Sequence, residues 1–249
     1  MYTKSLPRSK FQTGFKILLL LVVMLAVTAC NAVITGSGDL ITETRQVSNF
    51  DRIELSGSGE VIVSQGGSES LSIETDDNVM EHVKAEVEGG TLKLGFEKGV
   101  NIISSTRLIF YVGVDDLTGL AISGSGDVET DMLETDSLEA AVSGSGDVRV
   151  ADLTTGEVKA SISGSGEIDL AGEAAAQDIT ISGSGQYLAA DVCSESVSVS
   201  ISGAGDATVC ATGTLDANIS GSGSVDYYGR PSVNSSGSGS GKINNLGDK

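Results

Sequence analysis

The chain has 249 residues, 39% of them apolar, with 33 glycines, two prolines and no tryptophan; it can bury a continuous core and is neither disordered nor collagen-like in composition. Its formal charge of −19 argues against nucleic acid and anionic headgroups as partners, and a single histidine, His82, excludes multi-histidine metal centres and reads as a lone surface base.

Residues 1–29 read as an export leader. Lys4, Arg8, Lys10 and Lys16 precede an apolar run, Ile17–Val27, that is short for a membrane-spanning helix and suited to a signal peptide. The run ends in Val27-Thr28-Ala29-Cys30, which resembles the lipobox of bacterial lipoproteins. That resemblance implies that Cys30 carries diacylglycerol and an N-acyl chain, which together anchor stably to a membrane. The alternatives are an ordinary signal peptide with a chance cysteine, or an uncleaved anchor. Asn31 is not the aspartate that retains lipoproteins at the inner membrane of enteric bacteria, so the outer membrane is the expected address. Cleavage leaves 11 basic and 34 acidic residues, a net charge of −23. Such a surface serves solubility, or attracts cations and basic partners.

Residues 30–45 then follow as the lipidated cysteine and a tether, and 46–247 as the folded domain. Arg52-Ile53-Glu54-Leu55 alternates, and Glu60–Ser64 reads as a strand closed by the turn Gln65–Ser68. Between 69 and 120 the expected strands are Leu71–Thr75, Val83–Val87, Thr91–Phe96 and Thr106–Val114. Asp76–His82 forms one helical turn with an aspartate as cap. This irregular section is expected to close the N-terminal end of a repeat array.

From Ser123 a Ser-Gly-Ser-Gly tetrapeptide or close variant recurs at Ser143, Ser163, Ser182, Ser202, Ser220 and Ser236, with an earlier copy at Ser56. The steps are 20, 20, 19, 20, 18 and 16 residues. Apolar residues alternate with polar ones on both sides of each tetrapeptide, so each unit supplies two strands of about five residues and two turns. Paired glycines at this interval would each cost about 1 kcal/mol inside a helix, whereas at a bend glycine adopts positive φ cheaply. The fold class is therefore all-β, a parallel β-solenoid of roughly 20-residue coils. Stacked serine hydroxyls are expected to bond along the bend ladder.

The repeated Ile-Ser-Gly-Ser-Gly-Asp-Val units, Ser202–Ala207, and Tyr227-Tyr228-Gly229-Arg230-Pro231 resemble the family called putative auto-transporter adhesin, head GIN domain, from about Val47 to Leu246. The resemblance implies a right-handed parallel β-solenoid on secreted or lipid-anchored bacterial envelope proteins, and supplies no catalytic motif.

An acidic residue follows most tetrapeptides, including Asp127, Asp147, Glu167 and Asp206. Stacked carboxylates would repel, so Asp127, Asp147 and Glu167 are weak cation candidates, although the nonapeptide Ca²⁺ pattern is absent. Solvent-splayed carboxylates guarding against lateral association are the simpler expectation. The glycine turns lack the lysine of a phosphate loop, and no Gly-x-Ser-x-Gly elbow exists. Arg149, Lys159 and Asp169 are the candidates if the solenoid were a polysaccharide lyase or hydrolase. Cys193 and Cys210 form an even pair in an exported chain and invite a disulfide. They lie 11 and 8 residues after their tetrapeptides, so buried or unpaired thiols remain the alternative. Tyr227, Tyr228 and Arg230 form an aromatic-basic cluster that serves either as an interface or, the favoured reading, as a cap on the last coil. No cofactor is expected. The function read from the sequence is a non-enzymatic, lipid-anchored envelope protein that binds a protein or glycan, with a carbohydrate-active enzyme or a passive spacer as the other classes.

Overall fold

The computed structural model describes residues 33–102 and 107–249; the leader and Cys30 lie outside the described residues. Alternation of apolar and polar residues produces the expected parallel coils. Strand β10 (Gly119–Gly124) pairs in parallel with β12 (Leu133–Gly144), then β13 (Asp147–Gly164), β14 (Glu167–Gly183), β15 (Gln186–Gly203) and β16 (Asp206–Gly221) stack in turn. About six turns of about 20 residues make the solenoid, and 74% of the described residues are strand. Every coil places like residues over like, as in Leu55–Ile122–Val142–Ile162–Ile181–Ile201–Ile219 along one inner ladder.

Each coil has three sides rather than the two expected. In β13 the inward positions are Val148 and Val150, then Leu153 with the half-buried Thr155, then Val158, Ala160 and Ile162, and the exposed pairs Ala151-Asp152 and Gly156-Glu157 separate the groups. At those doubled outward positions the strand turns a corner, and the coil-to-coil pairing skips Ala151 and Asp152. The third corner is the tetrapeptide.

The tetrapeptide corner is built differently at its two glycines. The first glycine of each unit, from Gly124 to Gly239, has φ between +123° and +142°, a region open to glycine. Neither has room for a Cβ, and at the second space is the whole constraint: one on Gly146 would stand 2.0 Å from the carbonyl oxygen of Gly126 and 2.9 Å from Ile122 Cγ2, as one on Gly144 would stand 2.0 Å from that of Gly124. The bend ladder is a backbone ladder, not the hydroxyl ladder the serines suggested. Ser145, Ser165, Ser184, Ala204, Ser222 and Ser240 each donate N–H to the first glycine of the coil below at 2.7–2.8 Å. Ala204 shows that the hydroxyl is dispensable. Of the tetrapeptide hydroxyls, the contact between Ser220 and Ser238 is the serine pair seen among the described residues, at 3.4 Å. That register also moves the last tetrapeptide: Ser238–Gly241, not Ser236–Gly239, lies over Ser220–Gly223, so the final step is 18 residues.

The N-terminal section is closed by antiparallel strands. Strands β3 (Arg52–Gly57) and β4 (Glu60–Gln65) make the first coil under β10 and β11 (Asp127–Thr130). Beyond them lie β9 (Ile109–Val114) and β5 (Ser70–Asp76) on one side and the hairpin of β6 (Val83–Glu88) with β7 (Thr91–Phe96) on the other. Two expectations fail here. Residues 33–45 are not a tether: β1 (Val33–Ile34) pairs with β8 (Asn101–Ile102), and β2 (Leu40–Arg45) pairs antiparallel with β5 over six residues. The helical turn α1 (Asp77–Met80) has no side-chain cap bond from Asp76; that carboxylate, 4% exposed, instead accepts N–H from Gly38.

Cys193 and Cys210 are register partners with Cα atoms 4.4 Å apart, bonded through their sulfurs. The three-residue offset between their repeat positions is absorbed by a register shift in which Ala190, Asp191 and Val192 have no counterpart on β16. The bond closes a 17-residue separation, so reducing it, or making Cys193→Ser, is expected to cost about 3 kcal/mol, read as a lowered Tm. An unchanged Tm with a free-thiol count of two would show that the bond does not form.

Candidate functional site

Parallel stacking in register converts each outward repeat position into a row. On the side that leads into the bend, one row runs Ala141, Ser161, Thr180, Ser200, Asn218, Ser236 and the next Ser143, Ser163, Ser182, Ser202, Ser220, Ser238. A third begins Glu139, Lys159, Asp178, Ser198, Asp216, Asn234. With coils about 4.8 Å apart, the first two rows form a grid of hydroxyls with one amide, bordered by the third row with its charged Glu139, Lys159, Asp178 and Asp216. Hydroxyls both donate and accept, and this grid leaves most of them free for a partner. The sequence held this signal in the alternating serines of Ser196-Val197-Ser198-Val199-Ser200, but the rows appear only once the register is known.

The acidic row lies around the corner. Asp127 Oδ1 accepts the N–H of Asp147 at 3.2 Å, Asp147 Oδ1 that of Glu167 at 3.1 Å, and Asp206 Oδ1 both the N–H and hydroxyl of Ser224 at 2.9 and 2.6 Å. Asp127, Asp147 and Asp206 are exposed to solvent and at the same time accept hydrogen bonds from the coil above. They bind the next coil's amide, and no group of three metal-ligating side chains occurs among the described residues. Partial burial is the main reason that Asp127 and Glu167 titrate above the usual carboxylate range, with Asp147 adding like-charge repulsion at both. A raised folded-state pKa means that ionisation costs stability; that cost is full above the raised value and relieved below the ordinary one. Glu69, whose carboxylate accepts N–H from Phe50 and Asn49, is held low and acts in the opposite sense, at lower pH. The Tm is thus expected to rise as pH falls from 7 into the carboxylate range, and Asp127→Asn should flatten the rise. A rise of the same slope in the variant would remove Asp127 as a source.

Arg149 and Asp169 are neighbours on the acidic side, 3.9 Å apart, and Arg149 also stacks on Glu129. Lys159 belongs to the hydroxyl side, between Glu139 and Asp178. The three therefore do not converge on one point. A 730 Å³ groove at a corner near the N-terminal end is lined by Gln65, Asp115, Asp116, Glu134 and Asp136, without a basic side chain.

Tyr227 and Tyr228 do not cap the last coil; they are half-buried one coil below it. They end β17 (Ser224–Tyr228), which is covered by β19 (Lys242–Gly247). Arg230 makes a two-point pair with Asp248 at 2.9 and 2.5 Å, and Lys249 lies 5.5 Å from the Tyr228 ring centre while bonding Asp191. The cluster fastens the C-terminal tail.

A family model described as putative auto-transporter adhesin, head GIN domain, matches residues 49–231. Among solved structures, the chain is similar to one titled a putative adhesin from Bacteroides fragilis NCTC 9343. That match has 29% identity and a TM-score of 0.82, and covers 86% of this chain and all of the other. A structure titled a putative lipid binding protein from Parabacteroides distasonis ATCC 8503 has 27% identity and a TM-score of 0.74 over the same shares. A third, from Parabacteroides merdae ATCC 43184, is similar in fold at 24% identity and a TM-score of 0.69, covering 86% and 99%. None of the curated proteins compared with the chain matches it.

Proposed function

The chain belongs to the putative auto-transporter adhesin, head GIN domain family, and from that premise we propose that it is a non-enzymatic binding module of the bacterial cell envelope. In this reading lipid on Cys30 holds it at the outer membrane, and the hydroxyl grid meets a glycan or protein partner. The grid is the observation that carries the proposal. It spans five coils from Ser161 to Ser236 with its hydroxyls mostly unbonded within the chain, a surface that can exchange hydrogen bonds with a polyhydroxylated or extended partner. The separation of Arg149 and Asp169 from Lys159 weighs against an acid-base centre there. The even Ser, Thr, Asp and Glu coverage of the outer faces also supports a passive spacer as the second reading.

The test is an array of glycans and polysaccharides probed with the full chain, with and without Ca²⁺. Retention of polymer without shortening is the expected result. Shortening would replace this reading with an enzyme, and absence of retention with a spacer. Independently, Cys30→Ala should move the protein from the membrane to the soluble fraction; unchanged retention and processing would overturn the anchor.

A further inference from the structure

The two ends of the solenoid differ in how they treat their unpaired strand edges. At the N-terminal end the outermost strands are β2 and β6. β2 carries Glu43 and Arg45, and β6 carries Lys84, Glu86 and Glu88 in six residues. Charges on an edge are the usual protection against pairing with another chain. At the C-terminal end the last coil is β18 (Ser232–Gly239) and β19, bonded below to β16 and β17 and, among the described residues, to nothing above. Every residue of β18 is exposed. Residues 232–247 contain no acidic side chain and one basic one, Lys242. The coil at 127–146, by contrast, has six acidic side chains and no basic one.

The inner positions of this coil also leave the core thinly covered. Ser235 and Gly237 stand over Ala217 and Ile219, and a 450 Å³ depression opens between Ile219 and Ile243. Val233 and Leu246 are 38% and 47% exposed. The tip thus combines a free row of backbone donors and acceptors, a shallow apolar depression and almost no charge.

We propose that this tip pairs with the tip of a second copy, edge to edge, about a two-fold axis. Charge selects the occupant. Two bodies of net charge −23 repel, and among the described coils the last, 232–247, is the one with no acidic side chain, so approach there is opposed least. A two-fold arrangement makes the same edge serve on both sides and closes at two copies. The guarded edges of β2 and β6 disfavour the alternative of tip-to-base polymers. Because the argument stands on the edge alone, it goes beyond the binding role of the flank and holds whether or not that flank takes a glycan. For a rod anchored at its N-terminal end, pairing tip to tip joins copies on opposed surfaces.

Sedimentation velocity of the full chain in density-matched detergent tests this. The expected species is a dimer in concentration-dependent exchange with monomer. Ser236→Lys with Ser238→Lys should shift it to monomer, because like charges on facing edge strands repel. Met132→Lys, at an exposed position near the N-terminal end and far from the tip, should leave the dimer unchanged. Far-UV circular dichroism checks folding of each variant, and as a second readout oxidation of Ser236→Cys should cross-link two chains while Met132→Cys should not. Monomer at every concentration, a dimer that survives the tip lysines, cross-linking only at Met132, or long polymers would each overturn the proposal.

Discussion

Gly146→Ala is expected to cost of order 4 kcal/mol or more and to leave little folded protein at 37 °C, read by urea or thermal unfolding. The cause is space, not backbone conformation. A methyl group there would lie 2.0 Å from the Gly126 carbonyl oxygen, a backbone atom held by the coil below, and 2.9 Å from Ile122 Cγ2 in the core. Relief requires the coils to separate at the corner, which also strains the bond from Ser145 N–H to Gly124. Ser145→Ala, one residue away, should cost less than about 0.5 kcal/mol, because Ala204 already occupies the equivalent position. Equal costs for the two variants would show that the serine hydroxyls, not the glycine close approach, hold the bend.

Gln177→Leu is the second large effect, at about 3–4 kcal/mol. Gln177 occupies an inner position whose register partners are Val158 and Val197, so its amide enters an otherwise apolar ladder. There it accepts from Tyr187 OH at 2.8 Å and donates to Val192 O at 2.9 Å and Ser194 Oγ at 2.8 Å; Ser194 in turn donates to Ala174 O at 2.7 Å. Gln177, Tyr187 and Ser194 are all at most 2% exposed. Burial drives the Tyr187 phenol far above its ordinary pKa, so it stays a neutral donor that needs an acceptor. Leucine fills the volume but orphans the phenol and the Val192 carbonyl. Tyr187→Phe should therefore cost much less in the Gln177→Leu background than in the wild type, a coupling that a double-mutant cycle reads directly. Additive costs would mean that the two side chains act independently.

The fold was legible wherever one physical signal recurred. The 20-residue step, the alternation on either side of Ser143-Gly144-Ser145-Gly146 and the shortage of helical spacing together led to stacked parallel coils. The irregular strands at 71–75, 83–87 and 91–96 fall within β5, β6 and β7, because each is bounded by turn residues such as Gly89-Gly90. What escaped were features set by register. The third side of the coil turns at Ala151-Asp152, which carries no glycine or proline signal. In Ser236-Gly237-Ser238-Gly239-Ser240-Gly241 any of several frames fits the repeat, and pairing with Gly221 selects one. The Cys193–Cys210 alignment depends on three unpaired residues that no spacing rule reveals. The strand at Leu40–Arg45 was hidden because its partner, β5, is reached only through the antiparallel closure.

The hydroxyl grid was the least legible part. Each serine alone reads as an ordinary solvent-facing residue, and only the stacking of Ser161, Thr180, Ser200 and Ser236 makes a surface. The acidic row shows the converse: Asp127 and Asp147, which suggested a cation or a charge guard, stay exposed and also accept from the backbone of the next coil.

The most direct test of the binding account compares retention on a responsive glycan or polysaccharide for two full-length double variants. Thr180→Glu with Ser200→Glu places charge in the hydroxyl grid, and Arg149→Glu with Thr208→Glu places it on the acidic side. Loss of retention in the first variant and preservation in the second is the predicted result. Equal retention by both, or loss only in the second, would contradict the assignment of binding to the hydroxyl face.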